Sequence, residues 1–133
     1  MVAGFLADYL ESHPVPGDVL VPVPLHPRRL RERGYNQSGL IARELGRLTG
    51  IPVYEKNLER SLFTGQQTRT AGVEERKINV AGAFSCPPDA WLDRQVILVD
   101  DVATSGATLD ACAAALKEAG AVSVWGLTLA REI

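Results

Sequence analysis

The stretch that most constrains the fold of this chain is residues 95–109, with the sequence QVILVDDVATSGATL. It begins with four apolar residues at 96–99, mostly β-branched, which is typical of a strand buried on both faces of a parallel sheet. Two carboxylates, Asp100 and Asp101, follow directly, and a loop rich in hydroxyl groups comes next. A helix is predicted over residues 107–119, with Gly120 placed to end it. The pattern predicts an α/β fold with polar residues at the carboxyl end of a central strand.

The loop between this strand and this helix has the properties of a phosphate site. A helix N-terminus offers unpaired backbone N–H groups and a partial positive charge. Thr104, Ser105 and Thr108 can add hydroxyl donors, and Gly106 lets the backbone approach an oxygen atom closely. Two carboxylates directly before such a loop suit the hydroxyls of a sugar or a hydrated divalent cation. We therefore predict that the ligand is a sugar phosphate.

Other sites with an acidic strand end fit the sequence less well. A receiver domain has most of its fold after the acids, whereas only 32 residues follow Asp101. A Walker A loop needs a lysine after its last glycine, and a dinucleotide-binding loop needs three spaced glycines; the sequence has neither. The remaining alternative is an ordinary strand–helix turn with surface carboxylates.

Residues 96–108 resemble the phosphoribosyl-pyrophosphate (PRPP) loop of the type I phosphoribosyltransferases. That motif has four apolar residues, two acids, two or three small residues, T-x-G-x-T and then a helix, and the stretch matches it throughout. The resemblance implies a single α/β domain over residues 1–133, with a mostly parallel, twisted sheet of about five strands flanked by helices. It implies that Asp100 and Asp101 are catalytic and face the ribose hydroxyls. The residues implied to bind the 5-phosphate are Ala103, Thr104, Ser105, Gly106, Ala107 and Thr108.

A second polar segment follows an earlier strand. Residues 18–24, DVLVPVP, form a short apolar strand whose prolines fit its end. Residues 25–35 then hold four arginines, and open α/β sheets place ligands at the carboxyl ends of their strands. If this strand neighbours the strand at 96–99, the arginines face the same crevice as the acids, and a second phosphate group is their natural partner. A solvated helix face is the alternative.

Residues 21–38, VPVPLHPRRLRERGYNQS, resemble the corresponding segment of the competence protein F (ComF) family, a phosphoribosyltransferase-like branch found in bacteria. The resemblance covers most of the chain, because it continues through the PRPP loop to residues 127–131. Gly65 and Gln66 stand where the family often has proline. Other matching positions are Gln67, Glu75, Arg76, Asn79 and the Gly-Ala-Phe at 82–84.

The family resemblance also implies roles for residues outside the PRPP loop. Pyrophosphate is expected against Leu25, His26, Arg28 and Arg29. No residue stands out as a general base, and a turn role is favoured over that role for His26. A long polar segment at 60–80 is expected to act as a lid or a mobile loop. The candidates for contacts on its closure are Arg33, Tyr35, Gln67, Arg76 and Lys77.

The implied reaction is displacement of pyrophosphate at C1 of PRPP by a nitrogen nucleophile. Mg²⁺ is the implied cofactor, held through PRPP and also by Asp100 and Asp101, without an all-protein cage. Family members usually carry a four-cysteine zinc-binding module before this point, and the chain starts after it. The resemblance therefore implies no zinc site here.

Three function classes remain open. The first is a phosphoribosyltransferase with an unidentified acceptor, the second is a PRPP-binding regulator, and the third is a partner protein in DNA uptake, which the family's association with competence implies. Binding of single-stranded DNA needs a basic groove with aromatic platforms. Only Tyr35 suits that role near the arginines, so we expect weak, salt-sensitive DNA binding at most.

Helices are further predicted at residues 4–12 and 36–48, with Asn36 as the N-cap of the second and Gly50 as its stop. Strands are predicted at 52–54 and 122–129, and a surface connection at 85–94.

Composition and charge limit the kind of protein that this sequence can encode. The net charge is −2, no apolar run has the length of a membrane span, and the first residues lack the positive charge of a signal peptide. The two cysteines, Cys86 and Cys112, have no metal-ligand spacing, and Cys112 is expected to be a buried apolar residue. A cytoplasmic protein without membrane contacts is expected, and a homodimer is left open.

Overall fold

The molecule is built on a parallel sheet with helices on both faces. A computed structural model describes residues 2–60, 84–100 and 106–128. In chain order, its elements are α1 (Val2–Ser12), β1 (Val19–Pro22), α2 (Pro27–Arg33), α3 (Gln37–Thr49), β2 (Glu59–Arg60), β3 (Phe84–Ser85), β4 (Gln95–Asp100), α4 (Gly106–Glu118) and β5 (Ser123–Thr128).

Strand β4 lies at the centre of the main sheet, which has the order β1-β4-β5 with both pairings parallel. Its four central side chains are at most 1% exposed and alternate between two hydrophobic clusters. Val96 and Leu98 belong to one cluster, and Ile97 and Val99 belong to the other. The prediction of a strand buried on both faces is thereby confirmed, because each face packs against a separate core.

The helices complete these two cores. On one face, Cys112 and Leu116 of α4 pack with Phe84 and Trp91. On the other face, α1 and α3 bury apolar residues that include Leu6 and Leu45. No helix in the part of the chain that the structure describes is long and apolar enough to cross a membrane.

Helix ends follow the predicted signals. Asn36 caps α3 by accepting a hydrogen bond from the Ser38 amide at 3.1 Å, and Gly50 follows the helix with a φ of +80°. Gly120 has a φ of +108° just after α4. These are the positions at which side-chain acceptors and left-handed glycines end helices.

The sheet differs in detail from the expected five strands. Among the described residues, three strands form the parallel sheet, while β2 and β3 form a separate antiparallel pair. The strand predicted at 52–54 is reduced to a parallel bridge between Val53 and Leu20. Trp91, in the predicted surface connection, is 1% exposed and donates its indole N–H to the Asn57 carbonyl at 2.9 Å.

A substitution in α3 should separate helix propensity from packing. A Cβ atom at Gly46 would lie 2.6 Å from Cγ2 of Val53 and 2.9 Å from the Ile51 carbonyl oxygen. We expect Gly46→Ala to lower the free energy of unfolding by about 1–2 kcal/mol, because the clash outweighs the helix propensity gained. Gly39→Ala is the control, since the nearest atom to its Cβ would be the flexible end of Glu55 at 3.3 Å, with Asn36 and Arg43 at ordinary contact distances of 3.6 and 3.8 Å. Urea denaturation should show Gly39→Ala to be neutral or stabilising; an equal loss in both variants would contradict the prediction.

A second prediction concerns alkaline pH. Burial raises the pKa of the Cys112 thiol to about 12, with Arg60 opposing and Asp100 reinforcing the shift. Between pH 9 and 12 the unfolded chain therefore loses the thiol proton and the folded chain keeps it, so this contribution to stability falls by up to about 1.4 kcal/mol per pH unit. Urea denaturation from pH 8 to 11 should show a shallower decline for Cys112→Ala than for wild type. Cys86→Ala is the comparison variant and should change the decline less, because burial also raises the pKa of the Cys86 thiol but by a smaller amount. A Cys112→Ala decline as steep as that of wild type would refute the prediction.

Candidate functional site

The carboxyl ends of β1 and β4 meet at one edge of the sheet. Pro22 is in register with Val99, and the Val23 amide donates to the Val99 carbonyl at 2.9 Å. The chain therefore leaves β1 directly beside Asp100, the last residue of β4. The sequence predicts that the arginines lie near the acids on the condition that these two strands are neighbours. That condition is met, since the arginine-rich segment and the first acid start from neighbouring strand ends.

Beyond β1, the chain forms an open cleft of about 520 Å³ with a cationic lining. The structure thus brings together all four residues predicted to bind pyrophosphate and adds two that were not predicted. Three guanidinium groups against one carboxylate give the cleft a net positive charge suited to an anion. This arginine cleft is lined by Leu25, His26, Arg28, Arg29, Glu32 and Arg60.

Helix α2 supplies most of the cleft and is solvent-exposed along its length. Pro27 occupies its first turn, and His26 caps it by accepting a hydrogen bond from the Arg28 amide on Nδ1, at 3.1 Å. Gly34 ends it with a φ of +83°. Since α2 buries none of its residues, its terminal signals define it rather than core packing. The cap agrees with the turn role favoured for His26.

Arg60 is a cleft residue that sequence reasoning missed. It lies in β2, where it pairs with Phe84 of β3, and its guanidinium carbon stands 5.0 Å from the centre of the Phe84 ring. A cation over an aromatic face is held by the ring quadrupole, which orients the guanidinium. In the sequence Arg60 only begins a polar segment, and no local pattern distinguishes it.

Asp100 is held by a residue from a different element. The Ser38 hydroxyl donates to Oδ1 of Asp100 at 3.0 Å, and Ser38 is only 4% exposed. Asn36 also connects the start of α3 to the segment after β1, because its Nδ2 donates to the Val23 carbonyl at 3.1 Å. The sequence predicted Asn36 as a helix cap but gave no signal for either long-range contact.

The other predicted site residues divide into two groups. Thr108 is half-buried in the first turn of α4, which begins at Gly106, while Arg33 and Tyr35 are exposed near the end of α2 and do not line the arginine cleft. The predictions for the remaining residues lie outside the described part of the chain. These residues are Asp101, Ala103, Thr104, Ser105, Gln67, Arg76 and Lys77, and the side chain of Ala107 is not described either.

Metal binding can be examined only within residues 2–60, 84–100 and 106–128. There, no group of three or more His, Cys, Asp or Glu side chains is arranged to hold a metal ion. Asp100 provides one carboxylate, at the end of the strand that neighbours β1. Such a site fits a cation that keeps several waters and is shared with ligand phosphates, as Mg²⁺ usually is.

No family model matches the chain. Comparison with known proteins does find relatives, which are named for competence or for DNA utilization. Competence protein F of Haemophilus influenzae is 36% identical over 117 residues, which are 85% of this chain and 51% of that protein. Competence protein ComFC of Bacillus subtilis is 34% identical over 96% of this chain and 50% of its own length. DNA utilization protein YhgH of Escherichia coli is 34% identical over 83% of this chain and 48% of its own length. The chain thus spans about half the length of the curated relatives it matches.

Solved structures show the same fold at lower sequence identity. The purine phosphoribosyltransferase from Pyrococcus horikoshii aligns with a TM-score of 0.57 and 20% identity, over 96% of this chain and 68% of that one. An allosteric regulatory enzyme of purine biosynthesis aligns with the same TM-score and 22% identity, over 95% of this chain and 24% of that one. The chain is therefore a homologue of the competence protein F and ComFC proteins, about half their length, and its fold is that of the type I phosphoribosyltransferases.

Proposed function

We propose that this chain binds PRPP with Mg²⁺ and transfers its phosphoribosyl group to a nitrogen acceptor, releasing pyrophosphate. The observation that carries the proposal is that β1 and β4 end side by side, so that Asp100 follows β4 at the same sheet edge from which the chain continues into the arginine cleft. PRPP has a phosphate at one end, a pyrophosphate at the other and ribose hydroxyls between them. The cleft that follows β1, Asp100 at the end of β4 and the start of α4 would each supply a partner for one of these groups.

Each part of the ligand has a partner in this arrangement. The 5-phosphate would bind at residues 103–108, where α4 begins, and the ribose hydroxyls would donate to Asp100 and Asp101. The pyrophosphate would lie in the arginine cleft, against Arg28, Arg29 and Arg60. Guanidinium groups suit this role because they present several N–H donors in a plane to phosphate oxygens.

The donors present at the site fit Mg²⁺ bound through its ligand. Asp100, with Asp101 next to it, would hold the ion together with phosphate oxygens and waters, which is the usual coordination of this cation. When bound, Mg²⁺ would neutralise charge on the departing pyrophosphate. The protein's own share of that charge stabilisation would come from the arginines of the cleft.

Transfer needs charge stabilisation at the reacting carbon more than it needs a general base. The bond from C1 to pyrophosphate breaks with its electron pair on the leaving group, and the ribose ring becomes positively charged. The nitrogen lone pair then forms the new bond to C1, and the proton lost by the nitrogen passes to the departing pyrophosphate or to solvent. The Asp100 carboxylate would stabilise that positive charge, and Arg28, Arg29 and Arg60 would stabilise the negative charge on the leaving group. His26 is engaged as a helix cap, so we assign it no proton transfer.

A non-catalytic role is the second candidate, because the same PRPP-binding groups would serve a regulator equally well. The relatives are named for competence and for DNA utilization, and these names favour a partner role in DNA uptake. Turnover of PRPP in the presence of a nitrogen acceptor separates an enzyme from a PRPP-binding regulator. For a DNA partner, Tyr35, which is 48% exposed, is the aromatic side chain next to the arginines of α2.

The first test of the proposal is PRPP binding. Calorimetric titration of wild type should show binding that Mg²⁺ strengthens, and the double variant Asp100→Asn/Asp101→Asn should lose at least about tenfold in affinity, because charged hydrogen-bond partners of the ribose and the cation are removed. Asp110→Asn is the control, since Asp110 is exposed on α4. No PRPP binding by the folded wild-type chain, or unchanged binding by the double variant, would refute the proposal.

A second test addresses Arg60. Arg60→Gln should weaken the binding of magnesium pyrophosphate about tenfold and make it less dependent on salt, because a charge-assisted contact is lost. Arg60→Lys should lie between Arg60→Gln and wild type, since it keeps the charge without the planar donors. Arg43→Gln is the control, because Arg43 is exposed and pairs with Glu55 at 2.8 Å. Equal affinities for Arg60→Gln and Arg43→Gln at all salt concentrations would exclude Arg60 from the site.

A further inference from the structure

Four hydrogen bonds form a closed ring at the carboxyl edge of the sheet. The Val23 amide donates to the Val99 carbonyl, and the Val23 carbonyl accepts from Nδ2 of Asn36. Oδ1 of Asn36 accepts from the Ser38 amide, and the Ser38 hydroxyl donates to Asp100. Since Asp100 follows Val99, the ring closes. It joins the ends of two strands to the start of α3 with bonds of 2.9 to 3.1 Å.

The ring is more than a helix cap. Capping of α3 is accomplished by the Asn36 side-chain oxygen and the Ser38 amide. The Ser38 hydroxyl and the Asn36 Nδ2 instead extend to Asp100 and to the segment after β1. Helix formation requires neither of these contacts, yet Ser38 is almost completely buried at 4% exposure. A buried hydroxyl bonded to a carboxylate restricts the positions that the carboxylate can adopt.

The ring also connects two parts of the candidate site. Val23 is two residues before Leu25, where the arginine cleft begins, and Asp100 is the first of the paired acids. A ligand that spans both parts requires a fixed distance between them, because a misplaced group loses most of its contribution to binding. Two of the three cleft arginines, Arg28 and Arg29, lie on α2, which buries none of its residues and follows β1 in the chain.

We infer that Asn36 and Ser38 are positioning residues: Ser38 orients the Asp100 carboxylate for the ribose, and Asn36 holds the arginine cleft at the correct distance from it. The inference rests on the proposed function, since it concerns the binding of PRPP at that site. Neither residue needs to contact the ligand. Their effect on binding passes through Asp100 in one case and through the Val23 carbonyl in the other.

A double-mutant cycle tests the part played by Ser38. The variants are Ser38→Ala, Asp100→Asn and the combination, each titrated calorimetrically with PRPP and Mg²⁺. Ser38→Ala should weaken binding about tenfold in the wild-type background and less than about twofold in the Asp100→Asn background, because its effect requires the carboxylate. Ser38→Thr keeps the hydroxyl and should restore binding. An equal loss in both backgrounds, or none in either, overturns the assignment.

The binding of two fragments of PRPP distinguishes the role of Ser38 from that of Asn36. Ribose 5-phosphate uses the acids without the cleft, and pyrophosphate without Mg²⁺ uses the cleft without the acids. In NMR titrations, Ser38→Ala should weaken the binding of ribose 5-phosphate and leave the binding of pyrophosphate unchanged. Asn36→Ser keeps a good helix cap but loses the amide donor. It should weaken the binding of PRPP and leave the affinities for both fragments unchanged. Loss of fragment affinity in Asn36→Ser, or unchanged PRPP affinity, would overturn its positioning role.

Controls distinguish positioning from folding and from failure of the proposed function. Urea denaturation of each variant gives its folded fraction, and a merely structural role would lower stability without changing the affinity of the folded protein. If wild type itself does not bind PRPP, the proposed function fails and this inference fails with it. If wild type binds and the cycle shows no coupling, only the inference is overturned.

Discussion

The parallel pairing of β1 with β4 is the constraint on which the candidate site depends. Four register pairs, from Val19 with Val96 to Pro22 with Val99, align the two strands so that they end together. Both strands end at the same edge of the sheet. The arginine-rich segment after β1 and the acid at the end of β4 therefore start from neighbouring positions, although they are far apart in the sequence. A shift of the register by one residue would turn the side chains of β1 to the opposite faces of the sheet.

The register is itself specified by burial. Leu20 and Ile97 belong to the core under α1 and α3, while Val21 and Leu98 belong to the core under α4. Burial of such side chains contributes roughly 1.5–3 kcal/mol each, so exchanging the two faces would be costly. Hydrophobic packing of β1 and β4 thus determines where Asp100 and the arginine cleft lie. The site is polar, but its geometry depends on an apolar strand pair.

The sequence allowed prediction of those features that local patterns determine. The buried strand β4, the capped helix α3 and the cationic segment after β1 each have a signal within about ten residues. Both interpretations of that segment hold in part, because α2 is a solvated helix and Arg28 and Arg29 line the cleft. Arg60 and Ser38 could not be predicted. Arg60 reaches the cleft through its pairing with Phe84, and Ser38 meets Asp100 across 62 positions of sequence.

The two halves of the candidate site are supported very differently, and this difference has a chemical rationale. Asp100 ends a buried strand and is bonded to a buried serine, whereas Arg28 and Arg29 lie on a helix without a single buried residue. A carboxylate that stabilises charge at a ribose carbon must be placed within a fraction of an ångström, because its effect depends on alignment with one bond. A pyrophosphate has many equivalent oxygens and leaves after the reaction, so cations on an exposed helix can follow it. For the proposed transfer, an acid fixed by this hydrogen bond together with arginines on an exposed helix would favour cleavage at the sugar carbon and still permit product release.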